Sequence, residues 1–267
     1  MKRWLFFLYG VGCHVLFFGT YAYLAAFVAN ALVPKTIDTA IDGASGPAIA
    51  IDLLLLGLFA AQHSIMARPA FKRIWTRIVP EPIERSTYVL ASCLVTFVLI
   101  WQWRGIDAVV WDVRHPAFRA LLWGLFTIGW LSVPFVSLLI NHFDLFGTRQ
   151  VWLHLKGREY ESLPFRVPLF YKRVRHPLYI GWATAFWATP TMTAGHLLFA
   201  VVLTGYMGLA AMIEERDLVD HFGHQYEQYR RRVPMFVPKL TAAAPPAQSP
   251  RKSEAMTQPA DKETVHV

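Results

Sequence analysis

The sequence is poor in charge and in cysteine. Only 16% of its 267 residues are Asp, Glu, Lys or Arg, where soluble globular chains carry about a quarter. Its two cysteines, Cys13 and Cys93, both stand inside apolar runs. There they behave as small hydrophobes, and neither a disulfide framework nor a metal-ligand spacing follows from them. There is no glycine-rich strand–turn–helix fingerprint of a soluble nucleotide-binding fold, and no internal repeat.

What is abundant is apolar surface, with 55% of the residues hydrophobic and 15% aromatic. It is concentrated in blocks at 4–29, 47–67, 86–103, 117–140 and 177–213. Crossing a bilayer takes about 20 apolar residues. These blocks predict an all-α, polytopic transmembrane helical bundle of five to six spans. The last block is too long for one straight crossing and is interrupted by "ATPTMTAGH", with Pro190 and Gly195. Proline removes a backbone donor and stops the helix, so two antiparallel segments are expected, about 177–189 and 195–213. "ANA" at 29–31 resembles a signal-peptidase site, but the run before it is long for a cleaved leader; a first transmembrane helix is expected.

The net charge of +8 does not point to nucleic acid, because the basic residues lie in loops between apolar blocks. The 66–86 loop carries Arg68, Lys72, Arg73, Arg77 and Arg85, and the 141–176 loop carries seven more basic residues. The 30–46 loop has only Lys35. With six crossings every basic loop falls on one side, together with both termini. The positive-inside bias makes that side cytoplasmic. After Ile213, Leu218, Phe222, Tyr226 and Tyr229 recur at helical spacing, which predicts an amphipathic helix docked at the cytoplasmic interface. Residues 1–240 read as one integral-membrane domain. Residues 241–267 have the composition of a disordered tail.

On this topology the unusual polar residues converge on one face. "AQHSIMARP", "INHFDLFG", "RHPLYIG" and "IEERDL" bring Gln62, His63, Asn141, His142, Asp144, Arg175, His176, Glu214 and Glu215 to one depth. Ionisable groups at membrane depth are costly and mark function; each can also be an ordinary interfacial residue. Adjacent helical residues point about 100° apart, so Glu214 and Glu215 cannot both face one ligand equally; one can accept from a ligand while the other pairs with an arginine. Pro177 suits a first helical turn, which puts His176 at the cap. Asp52 lies apart from the cluster and reads as structural, and "HFGH" at 221–224 as a solvated helix face.

"RHPLYIG" followed by "EERDLVDHFGHQYEQYRRRVPMFVP" resembles the C-terminal half of membrane-embedded methyltransferases. That superfamily includes the isoprenylcysteine carboxyl and phospholipid methyltransferases. "VPKTID", "QHSIMARPAFK", "IERSTYVL", "INHFDLFGTRQVWL" and "FWATPTMTAGHLLFA" extend the likeness to about residue 238. They resemble the bacterial methanethiol S-methyltransferase family. The resemblance implies methylation of methanethiol to dimethyl sulfide with S-adenosylmethionine, without metal. It implies a cofactor site made by Arg175, His176, Tyr179, Gly181, Glu214 and Glu215, with Tyr226, Tyr229 and Arg230 nearby. It implies that spans 1–140 shape the acceptor side and that 141–240 bind the cofactor, with His63, Asn141, Arg149 and Gln150 as the acceptor candidates. The thiol must lose its proton, and His176, His142 or Asp144 can take it. The expected partners are a small volatile thiol and the lipid bilayer. Rival readings are a methyltransferase for a larger thiol, prenylcysteine or lipid, a haem- or quinone-binding protein, and a purely structural membrane partner.

Overall fold

A computed structural model describes residues 1–39 and 45–238. The chain runs α1 (Lys2–Val28), α2 (Ser45–Ala67), α3 (Pro69–Trp75), α4 (Glu81–Gln102), β1 (Val109–Asp112), α5 (Pro116–Ile140), α6 (His142–Leu145) and α7 (Thr148–Leu155). A 3-10 turn at Leu169–Lys172 leads to α8 (Pro177–Trp187), β2 (Thr191–Thr193), α9 (Ala194–Phe222) and α10 (His224–Arg232). A proline stands in the first turn of α3, α4, α5 and α8, where its missing N–H breaks no hydrogen bond. The tail 241–267 lies outside the described residues.

Five helices, α1, α2, α4, α5 and α9, are long and apolar enough to cross a membrane. Their outward faces carry large apolar side chains such as Leu54 (73% exposed), Trp101 (72%) and Leu131 (64%). Water would not tolerate such continuous apolar belts, whereas hydrocarbon solvates them at no cost. The chain is a multi-pass membrane protein.

The expected sixth span takes a mixed form. Helix α8 has 11 residues, about 16 Å by helical rise. His176, just before it, touches Glu215, while β2, just after it, leads into the start of α9. Segment 176–193 therefore traverses the same 21 residues of α9, about 31 Å, half as helix and half as extended chain. Backbone of that kind survives at membrane depth only when protein covers it. Ala185, Ala188, Thr189 and Met192 are all buried, and β2 pairs antiparallel with β1, Trp111 opposite Met192. Helix α8 approaches α5 closely because both helices lack side chains at the contact. A Cβ on Gly129 would lie 2.5 Å from the backbone nitrogen of Ala185, and one on Gly181 would collide with Ser132 Oγ. Aromatic rings of α1, α5 and α8 fill the seam: Trp182 meets both Tyr21 and Trp130 at 5.5 Å.

Two features differ from the sequence expectation. The 141–176 loop contains α6 and α7, and α7 lies along α1 and α4. Its Val151 is fully buried, and a Cβ on Gly10 of α1 would come within 2.6 Å of it. The amphipathic helix placed after Ile213 is not separate. Helix α9 continues through the charged segment to Phe222, since nothing between them breaks a helix, and ends at Gly223 with φ 55. The stripe then packs on Phe165, which meets Phe222 at 5.2 Å, Tyr226 at 5.9 Å and Tyr229 at 5.5 Å. Asp52 is fully buried and accepts a hydrogen bond from the backbone N–H of Arg104, 2.9 Å.

Candidate active site

At one end of the bundle the residues before α8 meet the last turns of α9 and the chain after α10. The backbone N–H groups of Arg175 and His176 donate to Pro234 O (2.9 Å) and Met235 O (3.2 Å). His176 is the N-cap of α8 but makes no capping bond with its side chain, which leaves the ring for other contacts. It lies parallel to Tyr179, centroids 5.3 Å apart and planes at 5°, with Phe236 at 5.8 Å. Its Nε2 is 3.1 Å from Glu215 Oε1, and its Nδ1 is 3.8 Å from Glu214 Oε2.

The two glutamates diverge as adjacent helical residues must. Glu215 is buried and takes two hydrogen bonds from Arg175, from Nε at 2.5 Å and Nη2 at 3.1 Å. Such a bidentate pair fixes orientation as well as charge. Glu214 keeps 46% of its side chain exposed and accepts from Tyr179 Oη at 3.0 Å. Among the described residues its Oε1 has no hydrogen-bond donor. Arg175, expected to hold a ligand carboxylate, is fully engaged inside the protein: Nη1 also donates to Arg230 O at 3.0 Å and to Val233 O. It braces the C-terminal segment. The Arg230 guanidinium is exposed and makes no side-chain bond among the described residues. Tyr226 is buried in the wall, and Tyr229 Oη donates to Tyr171 O at 2.6 Å. Burial raises the phenols of Tyr171, Tyr226 and Tyr229 above their ordinary value, with nearby Glu214 adding to the rise at Tyr171. They stay neutral. Gly181 points at Ser132 of α5, so it serves the helix contact that positions α8.

The other candidates fall into separate groups. Asn141, Asp144, Arg149 and Gln150 form one knot. Arg149 Nη1 donates to Asp144 Oδ1 at 2.8 Å, Gln150 Nε2 to Asp144 O at 3.2 Å, and Asp144 N to Asn141 Oδ1 at 3.2 Å. Tyr160 Oη adds a bond to Asp144 Oδ2 at 3.3 Å, so this carboxylate is already neutralised. His63 hydrogen-bonds Tyr88 Oη at 2.9 Å and stacks on Phe59; nearby on α2, Ser64 meets Tyr206 of α9 at 3.0 Å. His142 turns into the α1–α5 seam. Sequence reasoning groups His142 and Asp144 with His176 as proton acceptors; the fold sets the three in different surroundings, with no hydrogen bond between them. It also reveals participants the sequence does not single out: His14, Tyr88, Tyr171, Tyr206 and Phe236. Only His14 carried a signal, as an ionisable residue deep in an apolar run.

Apolar spans closed at one end around a buried arginine–glutamate–histidine group define a multi-pass membrane protein with its ionisable residues gathered at one site. Over 238 residues the chain is 51% identical to the methanethiol S-methyltransferase of Mycobacterium tuberculosis, covering 89% of this chain and 98% of that protein. The chain belongs to the methanethiol S-methyltransferase family. Methanethiol S-methyltransferase 1 of Bradyrhizobium diazoefficiens is 49% identical over 88% of this chain and 83% of its own. Nurim of Rattus norvegicus is 31% identical over 64% of this chain and 68% of its own. No family model and no solved structure matches.

Proposed function

We propose that the protein transfers a methyl group from S-adenosylmethionine to methanethiol, forming dimethyl sulfide, at the cytoplasmic side of a bacterial inner membrane. The observation that carries this reading is the near-full-length identity, about half of all residues, to relatives bearing that name. The orientation rests on the basic loops, which share the end of the bundle where Glu214 and Glu215 stand.

The residues at that end fit the donor's chemistry. S-Adenosylmethionine supplies a methyl group activated by a sulfonium charge. The half-exposed Glu214, with an oxygen to spare, suits ribose hydroxyls or the methionyl ammonium. The unengaged Arg230 suits the methionyl carboxylate, and the neighbouring Tyr179 and Phe236 offer aromatic faces to adenine. The Arg175–Glu215 pair holds the C-terminal segment and the His176 ring in place. His176, with its nitrogens turned to Glu215 and Glu214, positions those carboxylates. Covering aromatic residues exclude water, which lessens screening between a thiolate and a cationic donor. Holding the two reactants in line supplies most of the acceleration.

The test is headspace chromatography of purified protein in nanodiscs with methanethiol and S-adenosylmethionine. Dimethyl sulfide is the expected product, and its absence overturns the reading. Faster turnover of a prenylated thiol than of methanethiol would replace it with the larger-acceptor alternative.

A further inference from the structure

Four helices each send one polar ring toward the neighbourhood of Glu214: His63 from α2, Tyr88 from α4, Tyr179 from α8 and Tyr206 from α9. Tyr179 Oη donates to Glu214 Oε2 at 3.0 Å, and Tyr88 and Tyr206 lie within electrostatic range of Tyr179. All four rings are half-buried. Helix α2 packs on α4 and on α9, but α4 has no extended contact with α8 or α9. The rings therefore border a gap between helices rather than a closed seam. Phe59, one turn before His63, closes its deeper side; it stacks on His63 at 5.3 Å and meets Tyr206 edge-on at 6.3 Å.

The gap continues toward the donor-side carboxylate. Ser64 meets Tyr206 at 3.0 Å, and Arg68 donates to Asp217 at 2.6 Å. Between these two contacts the α2 chain advances four residues, about 6 Å, and α9 eleven, about 16 Å. Helix α2 has ended at Ala67, and the long Arg68 side chain spans the difference. Along that stretch α9 presents Ala210, a single methyl, on the face that carries Tyr206 and Glu214, since residues four apart recur on one side of a helix.

The hydrogen bonds around His63 show which atom is left to act. Ser92 Oγ donates to Tyr88 O at 3.0 Å, so toward His63 Nδ1, at 3.4 Å, it accepts. His63 then carries its proton on Nδ1 and its lone pair on Nε2. Tyr88 Oη stands 2.9 Å from Nε2 and 3.0 Å from Nδ1, so it can donate to whichever nitrogen bears the lone pair. Having given its proton to the imidazole, the Tyr88 oxygen keeps its own lone pairs, and among the described residues no other group donates to them. Tyr88 is thus an open acceptor with a base behind it. Arg85, three residues earlier on α4, lies within electrostatic range of Tyr88 and favours an anion beside it. His176, by contrast, has its nitrogens turned to Glu215 and Glu214.

We propose that Tyr88, backed by His63, takes the proton of the acceptor thiol in this gap, beside the donor at Glu214 and Tyr179. The S–H bond breaks as its proton bonds to Tyr88 Oη, the Tyr88 proton passes to His63 Nε2, and the electron pair stays on sulfur as thiolate. Imidazolium and thiolate form together as opposite charges, which apolar surroundings tolerate better than either alone. His63 gives up its proton to water after methyl transfer. The inference rests on the functional reading above, and wild-type turnover tests that reading separately. The experiment compares two acceptors in nanodiscs: methanethiol, which must lose a proton, and methaneselenol, which is already ionised at neutral pH. Tyr88→Phe removes only an oxygen, and His63→Gln still accepts from Tyr88 but takes no proton. Each is expected to lower kcat/KM for methanethiol by about 100-fold and to leave that for methaneselenol within about twofold of wild type. Donor affinity by calorimetry should stay at the wild-type value, and either variant alone decides. Equal losses with both acceptors in a variant that binds the donor normally, or methanethiol turnover close to wild type, overturn the inference and leave the functional reading standing. Wild type inactive on methanethiol overturns the functional reading itself.

Discussion

The two ends of α8 solve the same problem in opposite ways. Both must bury irregular backbone next to α9. At the end joined to β2, backbone pairing carries most of the burial, and the carboxylates of Asp112 and Asp38 accept from Thr191 Oγ1 and Thr193 Oγ1. Strand β2 pairs with β1, Ala194 N and Gly195 N donate to Ala108 O and Ile106 O, and the fully buried His196 donates from Nε2 to Phe186 O at 2.9 Å. At the end joined to His176, a guanidinium, a carboxylate and an imidazole are buried together, and a second carboxylate is left half-exposed. Buried charge is a poor way to gain stability. Three buried ionisable side chains beside a half-exposed carboxylate mark the end where the protein has something other than itself to hold.

Four substitutions sharpen this contrast. Glu215→Ala leaves Arg175 buried without its partner and should cost about 3–5 kcal/mol, read as a lower unfolding midpoint in detergent, with loss of turnover. Glu214→Gln keeps the fold but removes a charge-assisted acceptor. Donor affinity measured by calorimetry should fall roughly 10- to 100-fold, in line with about 1.5–3 kcal/mol for a hydrogen bond to a charged group; unchanged affinity would move the donor elsewhere. At the β2 end, Thr193→Ala removes the side chain that caps α9 at His196 N, 3.2 Å, and that donates to Asp38. It should cost about 1 kcal/mol with turnover per folded molecule unaltered. Arg114→Ala breaks an ion pair to Asp112 whose arginine is 91% exposed, and neither midpoint nor turnover should move measurably. A larger catalytic loss from Thr193→Ala than from Glu214→Gln would invert the assignment of the two ends.

The helices were legible in the sequence because each span carries its own apolar run, and α1, α2 and α5 start and stop within two residues of the blocks at 4–29, 47–67 and 117–140. What was not legible depends on partners far along the chain. Strands β1 and β2 are too short to announce themselves, and Val109 and Thr193 are 84 residues apart. The continuation of α9 past Ile213 was missed because a charged segment after an apolar one looks like a boundary, although charge does not break a helix and Gly223 does. For the site, "RHP" and "EE" were readable as one group, and Glu215 and His176 do meet. The sequence could not divide the labour between them: only packing shows that Arg175 is engaged by the protein's own carbonyls. His14 and His142, separated by 128 positions, become a pair only when α7 and α6 fold back along α1.

The segment 233–236 lies across the backbone of Arg175 and His176 and is fastened there by Arg175 itself. A ribosome releases these residues well after all the spanning helices. The nascent chain can therefore insert and settle its membrane helices while this end of the bundle is still open, and the group of Arg175, His176 and Glu215 is closed over only once Phe236 has left the ribosome.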